Sequence, residues 1–143
     1  MNLKHIFVYG TLRRGQVNHY LLRDMSASYV GDFATAKAYY MIGLRSLAYP
    51  YVIEDYMGVD SGPVYGEVYS ISEEGIAFLD RLEGHPHNYI REEVDLVNRD
   101  GELKAHMYIL RNKELIDAVK KDLGGRFLAV EGNDWGKFVK KEG

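Results

Sequence analysis

Residues 7–15 read Phe7-Val8-Tyr9-Gly10-Thr11-Leu12-Arg13-Arg14-Gly15. The apolar run His5 to Tyr9 predicts a short strand, and Gly10-Thr11 ends it in a basic, glycine-bounded loop. Where a strand stops at a glycine, main-chain N–H groups lose their ladder partners and the missing Cβ lets another group come close. Such a turn can hold a carboxylate or an amide oxygen with main-chain donors alone. An ordinary β-turn accounts for Tyr-Gly-Thr equally well, so the loop gains meaning only from what surrounds it.

Downstream, residues 16–25 predict a short helix with Val17, Leu21 and Leu22 on one side. Ser28 to Leu44, rich in Tyr, Ala, Val and Phe, predicts one long or two broken strands. Residues 48–54 predict another strand, with Pro50 favouring an edge or a strand start. Val64 to Ile71 predicts a strand with Tyr65 and Tyr69 on one face and Val68 on the other. Ser72 suits a helix N-cap, followed by the acidic pair Glu73-Glu74 and ending near Gly84. Tyr89–Val97 and Leu103–Leu110 predict a hairpin around Asn98-Arg99-Asp100-Gly101. A second amphipathic helix, Lys113–Leu123, carries Leu115, Val119 and Leu123. The tail with Phe127, Trp135 and Phe138 reads as helix or loop. Strands outnumber helices without alternating with them, which argues against a doubly wound parallel sheet. The expected class is α+β: a small, mostly antiparallel β-barrel or strongly curved sheet with peripheral helices.

A chain of 143 residues is expected to form one domain, residues 1–143, with a core large enough to fold without staples. It contains no cysteine, which excludes disulfides, thiolate metal sites and a cysteine nucleophile, and suits a reducing compartment. The first apolar run is too short for a signal h-region or a membrane span, so a cytoplasmic location is expected, with no membrane partner. A net charge of −3 argues against broad nucleic-acid binding. Neither phosphate-loop glycine pattern is present to make Arg13-Arg14 a phosphate site. The 12 tyrosines offer apolar area with a hydroxyl tip, fit for a polar ligand and equally for plain β-sheet.

The helix over residues 76–83 carries a second informative residue. Ile76, Phe78, Leu79 and Leu82 cluster on one side, and Glu83 falls roughly 60° from the centre of that stripe by wheel arithmetic. Asp80 lies nearer the polar edge. A carboxylate on the inner flank is costly unless it is paired or lines a cavity. Desolvation and the negative end of the helix dipole both disfavour its ionised form, which suits a group that takes and returns a proton. A carboxylate that escapes to solvent, or pairs with Arg91, fits the helix geometry as well. His85-x-His87 beside it is a poor metal-ligand set without a third ligand in register.

The string Tyr9-Gly10-Thr11-Leu12-Arg13-Arg14-Gly15-Gln16-Val17-Asn18-His19 resembles the γ-glutamyl cyclotransferase-like family, above all its γ-glutamylamine (AIG2-like) branch. Gly66-Glu67-Val68-Tyr69 resembles that family's Gly-Glu-x-Tyr strand. Leu79-Asp80-Arg81-Leu82-Glu83-Gly84-His85-Pro86 with Tyr89 and Arg91 resembles its second signature, in which Glu83 matches the catalytic glutamate. The resemblance implies cyclisation of a γ-glutamyl compound: the substrate's own α-amino nitrogen attacks the γ-carbonyl, yielding 5-oxoproline and an amine. It further implies Glu83 as proton shuttle, Tyr9, Gly10, Thr11, Leu12 and Tyr89 as substrate contacts, and no cofactor and no metal. The amine half is expected to meet residues 44–62, where Tyr49, Tyr51 and Tyr56 gather. A non-catalytic protein binding a small metabolite on the same fold, and a cyclase acting on a γ-glutamyl group carried by a larger acceptor, are the competing readings.

Overall fold

The computed structural model describes residues 2–143. In chain order the elements are β1 (Leu3–Val8), α1 (Tyr20–Asp24), β2 (Ser28–Thr35), β3 (Tyr40–Leu44), β4 (Pro50–Ile53), β5 (Tyr65–Ser72), α2 (Glu73–Glu83), β6 (Tyr89–Asn98), β7 (Gly101–Leu110), α3 (Lys113–Lys121), β8 (Phe127–Ala129) and α4 (Trp135–Glu142). Strands β1, β5, β2, β6 and β7 close into a barrel in that order. Every interface is antiparallel except the seam, where β7 meets β1 in parallel with Ile6 opposite His106. Strands β4, β3 and β8 form a second, antiparallel sheet. The expected mostly antiparallel barrel with peripheral helices is what the chain adopts.

Strand β1 is apolar throughout its second half because it is covered on both faces. Ile6 and Val8 pack into one core with Ile76 and Leu79 of α2. Phe7 and Tyr9 turn the other way, into a core with Val68, Leu96 and Met107. Strand β5 lies against β1, and a Cβ on Gly66 would overlap the Val8 carbonyl oxygen and crowd the Phe7 ring. Glycine is therefore required at that position for the two strands to meet.

Local signals place α2. The Ser72 hydroxyl accepts the Gly75 N–H at 3.1 Å, satisfying one of the first-turn donors. At the other end Gly84 adopts a left-handed φ of 68° and stops the helix. The hairpin turns where expected, with Asn98 opposite Gly101 and the Asn98 side chain accepting the Asp100 N–H at 2.8 Å.

Several expectations are corrected. The helix predicted over 16–25 forms only at Tyr20–Asp24, because the Asn18 N–H donates to the Thr11 carbonyl (2.9 Å) and keeps the preceding residues folded onto the loop. Val17 is consequently exposed rather than inward. The Ser28–Leu44 run takes the second of its two expected forms, two separate strands, β2 and β3, which belong to different sheets. In α3 the buried residues are Ile116 and Val119, with Leu115 only half-buried. The tail contributes both a strand, β8, and a helix, α4, whose Trp135 is buried.

Candidate functional site

The loop after β1 is built from its own hydrogen bonds. The Gly10 carbonyl accepts the Arg13 N–H (3.1 Å) and the Thr11 carbonyl accepts the Asn18 N–H (2.9 Å). A trans peptide points its C=O and the following N–H in opposite directions. The N–H groups of Thr11 and Leu12 therefore face away from those partners, and among the described residues they make no hydrogen bond. Two side chains brace the arrangement: Asn18 Nδ2 donates to Thr11 Oγ1 (3.1 Å), and the His19 ring donates through Nδ1 to the Leu12 carbonyl (2.9 Å).

The loop's base is clamped by Glu67 of β5. This carboxylate is buried, yet it accepts from Arg13 Nε (3.0 Å), the Arg14 N–H (2.9 Å) and the Tyr69 hydroxyl (2.9 Å). Arg13 also donates to Asp134 (3.0 Å), so its guanidinium is occupied by carboxylates and does not offer a phosphate site. Arg14 turns outward to Asp32 and lies 4.3 Å from the centre of the Tyr29 ring. At Gly10 the space a Cβ would fill is taken by the Pro50 ring, 3.0 Å away, rather than left open for a ligand.

Tyr9, Gly10, Thr11 and Leu12 border a cavity of about 410 Å³, and Glu83 and Tyr89 line the same cavity. All six residues singled out by the sequence are thus brought together. Glu83 is more central than the hydrophobic pattern suggested. The buried face of α2 is Gly75, Ile76 and Leu79, while Phe78 and Leu82 are exposed. Relative to that face Glu83 lies only roughly 30° off centre on a helical wheel. Dropping the exposed Phe78 and Leu82 from the count is what moves the axis toward Glu83.

No side-chain hydrogen bond or ion pair involves Glu83 among the described residues, and burial alone pushes its carboxyl up to about 7. The expected alternative partner, Arg91, is engaged elsewhere. It donates to Asp80 through Nε (2.8 Å) and Nη2 (3.3 Å), and to His106 Nδ1 (3.0 Å). Asp80 is only half-buried and accepts a further bond from the Tyr108 hydroxyl at 2.7 Å. Burial opposes the charge on Asp80, yet the Arg91 and Tyr108 bonds hold its carboxyl below the usual range. His85 has a structural role: its Nδ1 accepts the Arg91 N–H (3.0 Å) at the start of β6.

Burial raises four phenols around the cavity, Tyr9, Tyr51, Tyr89 and Tyr108, above their ordinary value. Burial first, and then the nearby Glu83 charge, raise Tyr9 well above its ordinary value, and Tyr9 donates its hydroxyl to the Tyr108 carbonyl at 2.7 Å. Burial raises Tyr89 in the same sense, with the charges of Tyr9 and Glu83 adding to it. Ala48, Tyr49, Pro50 and Tyr51 form another part of the wall, whereas Tyr56 lies outside it, edge-on to Tyr40. Among the described lining residues Glu83 is the only one with an acidic or basic side chain. The sequence reading missed Tyr108 and Asn88. Counting back from the Asn98–Gly101 turn puts Tyr108 opposite Arg91 in the hairpin, so the register held that signal.

Comparison with known proteins gives a consistent result. A family model described as "Gamma-glutamyl cyclotransferase, AIG2-like" matches residues 6–137. A protein of Methanocaldococcus jannaschii, provisionally named a gamma-glutamylcyclotransferase, is 34% identical over 109 residues, covering 74% of this chain and 83% of its own. The Rattus norvegicus gamma-glutamylaminecyclotransferase is 35% identical over 92 residues, which cover 62% of this chain and 60% of the rat protein. The crystal structure of an AIG2-like protein from Mus musculus superposes with a TM-score of 0.66 at 27% identity, covering 78% of this chain and 80% of that one.

Proposed function

Because the chain belongs to the gamma-glutamyl cyclotransferase, AIG2-like family, we propose that it cyclises a γ-glutamylamine to 5-oxoproline and releases the amine. One observation carries this reading: an unpaired, half-buried carboxyl, Glu83, shares a cavity with the unpartnered main-chain donors of Thr11 and Leu12. A γ-glutamyl group has an α-carboxylate and an α-ammonium. The donors suit the first, and Glu83, the cavity's acidic side chain, suits the second.

The reaction then needs little from the protein. Glu83 accepts a proton from the α-ammonium, and the freed amine attacks the γ-carbonyl carbon. A C–N bond forms in the new ring and the original amide C–N bond breaks. Glu83 returns its proton to the departing nitrogen, and the second proton shed by the ring nitrogen leaves with the amine, which departs as its ammonium. No water, oxidant or reductant is consumed. A base poised near neutrality is matched to that double duty. Holding the chain curled for intramolecular attack is worth on the order of 7–11 kcal/mol.

An amine leaving group is favoured over an amino-acid one because the described lining offers no Lys, Arg or His to meet a second carboxylate. Incubating the protein with a panel of γ-glutamylamines and γ-glutamyl amino acids, followed by mass spectrometry for 5-oxoproline, tests the proposal. Release from the amines supports it. Binding without turnover across the panel would instead favour a non-catalytic metabolite-binding protein on this fold.

A further inference from the structure

Asp80 and Glu83 lie three residues apart on α2, close enough to compete for one cation. Two guanidiniums stand at this helix end: Arg81, exposed in the last turn of α2, and Arg91 on β6, which Asp80 takes with two hydrogen bonds of 2.8 and 3.3 Å. The Tyr108 hydroxyl adds a third bond to the same carboxylate, and His85 accepts the Arg91 main-chain N–H. A further Arg91 nitrogen is tied to His106. The cation is thus held by Asp80 and His106 outside the cavity lining, even though a half-buried, unpaired carboxylate stands one turn away.

We propose that Asp80 is a decoy counter-ion: by binding Arg91 it keeps the guanidinium off Glu83 and leaves that carboxyl free to exchange a proton. This is a positioning role, and it rests on the reading of Glu83 as the proton carrier. The other groups that meet Glu83 do not compete for it. Tyr9, just past β1, and Tyr51, Tyr89 and Tyr108, on β4, β6 and β7, line the cavity with phenols that burial raises above their ordinary value. His85 and His106 stand behind Asp80 and Arg91 rather than in the lining. Removing the Asp80 charge frees a long, flexible cation whose former partner stands three residues from the unpaired Glu83 on the same helix. An opposite charge at contact distance lowers a carboxyl by about one to three pH units.

The test reads Glu83 directly, so it decides this proposal whether or not the protein turns over a γ-glutamylamine. Glutamate carboxyl carbons are titrated by ¹³C NMR in the intact protein, in Asp80→Asn, in the smaller Asp80→Ser, and in Asp80→Asn with Arg91→Met. Glu83→Gln identifies the resonance, and circular dichroism establishes which variants are folded. The Glu83 midpoint is expected to fall by at least one pH unit in each folded single variant. It is expected to return to within half a unit of the parent value when Arg91 is also removed. A midpoint unchanged in a folded Asp80 variant would overturn the proposal. So would a fall that persists in the double variant, because Arg91 would not be its cause.

Discussion

The guanidinium of Arg91 closes on Asp80 at 2.8 Å and leaves Glu83, one helical turn further on, without a counter-ion among the described residues. Two carboxyls of one helix end therefore behave oppositely. Pairing keeps Asp80 ionised, whereas burial makes Glu83 easy to protonate. Sites whose environments push two acids apart in this way assign their chemical roles by geometry.

Glu83 carries a stability signature with a definite sign. Its carboxyl titrates near 7 in the folded chain against 4.5 for an unburied glutamate. The folded state thus binds the proton more tightly, and its contribution is present in full below pH 4.5 and lost as pH rises through 7. Urea unfolding of Glu83→Gln and the parent should show the variant gaining on the parent between pH 4.5 and 8, by up to about 3 kcal/mol. A difference independent of pH would show that Glu83 is ordinarily solvated.

The same titration sets the pH dependence of turnover. A base must be ionised in the free protein, so kcat/KM for a γ-glutamylamine should fall on the acid side with a midpoint near 7. Initial rates from pH 5 to 9 check this. A profile flat between pH 5 and 8 would assign the proton transfer to another group.

Glu67 does for the loop what no residue within the loop can do. Glu67→Ala leaves Arg13, the Arg14 N–H and the Tyr69 hydroxyl without their shared acceptor. Breaking a buried ion pair from one side costs about 3–5 kcal/mol. Denaturant unfolding is expected to show a loss of that order, and a loss below about 1 kcal/mol would mean the clamp is solvent-screened.

Tyr49 is expected to select the amine. It is partly exposed at the cavity wall and meets Tyr51 edge-on, with centres 5.5 Å apart. Tyr49→Ala should cost only about 1 kcal/mol of stability, given that partial exposure. It should change the ratio of kcat/KM between a bulky and a small γ-glutamylamine by about tenfold, the range of one apolar contact. Parallel loss on both substrates would place the amine elsewhere.

Features set by neighbours in sequence were legible before the structure. Ser72 and Gly84 bound α2, Asp100-Gly101 marks the hairpin, and the loop from Tyr9 to Gly15 announces itself by its glycines and its Arg13-Arg14 pair. Features set by distant pairing were not. The parallel seam between β1 and β7 depends on barrel closure, which Ile6 and His106 do not signal. Strand β8 has only three residues and exists because β3 offers it an edge. Val17 looked inward until Asn18 was seen tied to Thr11. The position of Glu83 was legible in kind but not in degree, because an apolar count gives weight to Phe78 and Leu82, which the fold leaves exposed. Arg91 could be seen as a candidate partner for a carboxylate, but only the fold shows which one it takes.

The central claim is that Glu83 carries the proton in a cyclisation performed by the substrate's own nitrogen. Single-turnover release of 5-oxoproline from a γ-glutamylamine by the parent and by Glu83→Gln, both folded by circular dichroism, addresses it most directly. A rate lower by about 10²–10⁴ in the variant, with substrate binding retained, is the predicted result. Equal rates in the two proteins would contradict the account.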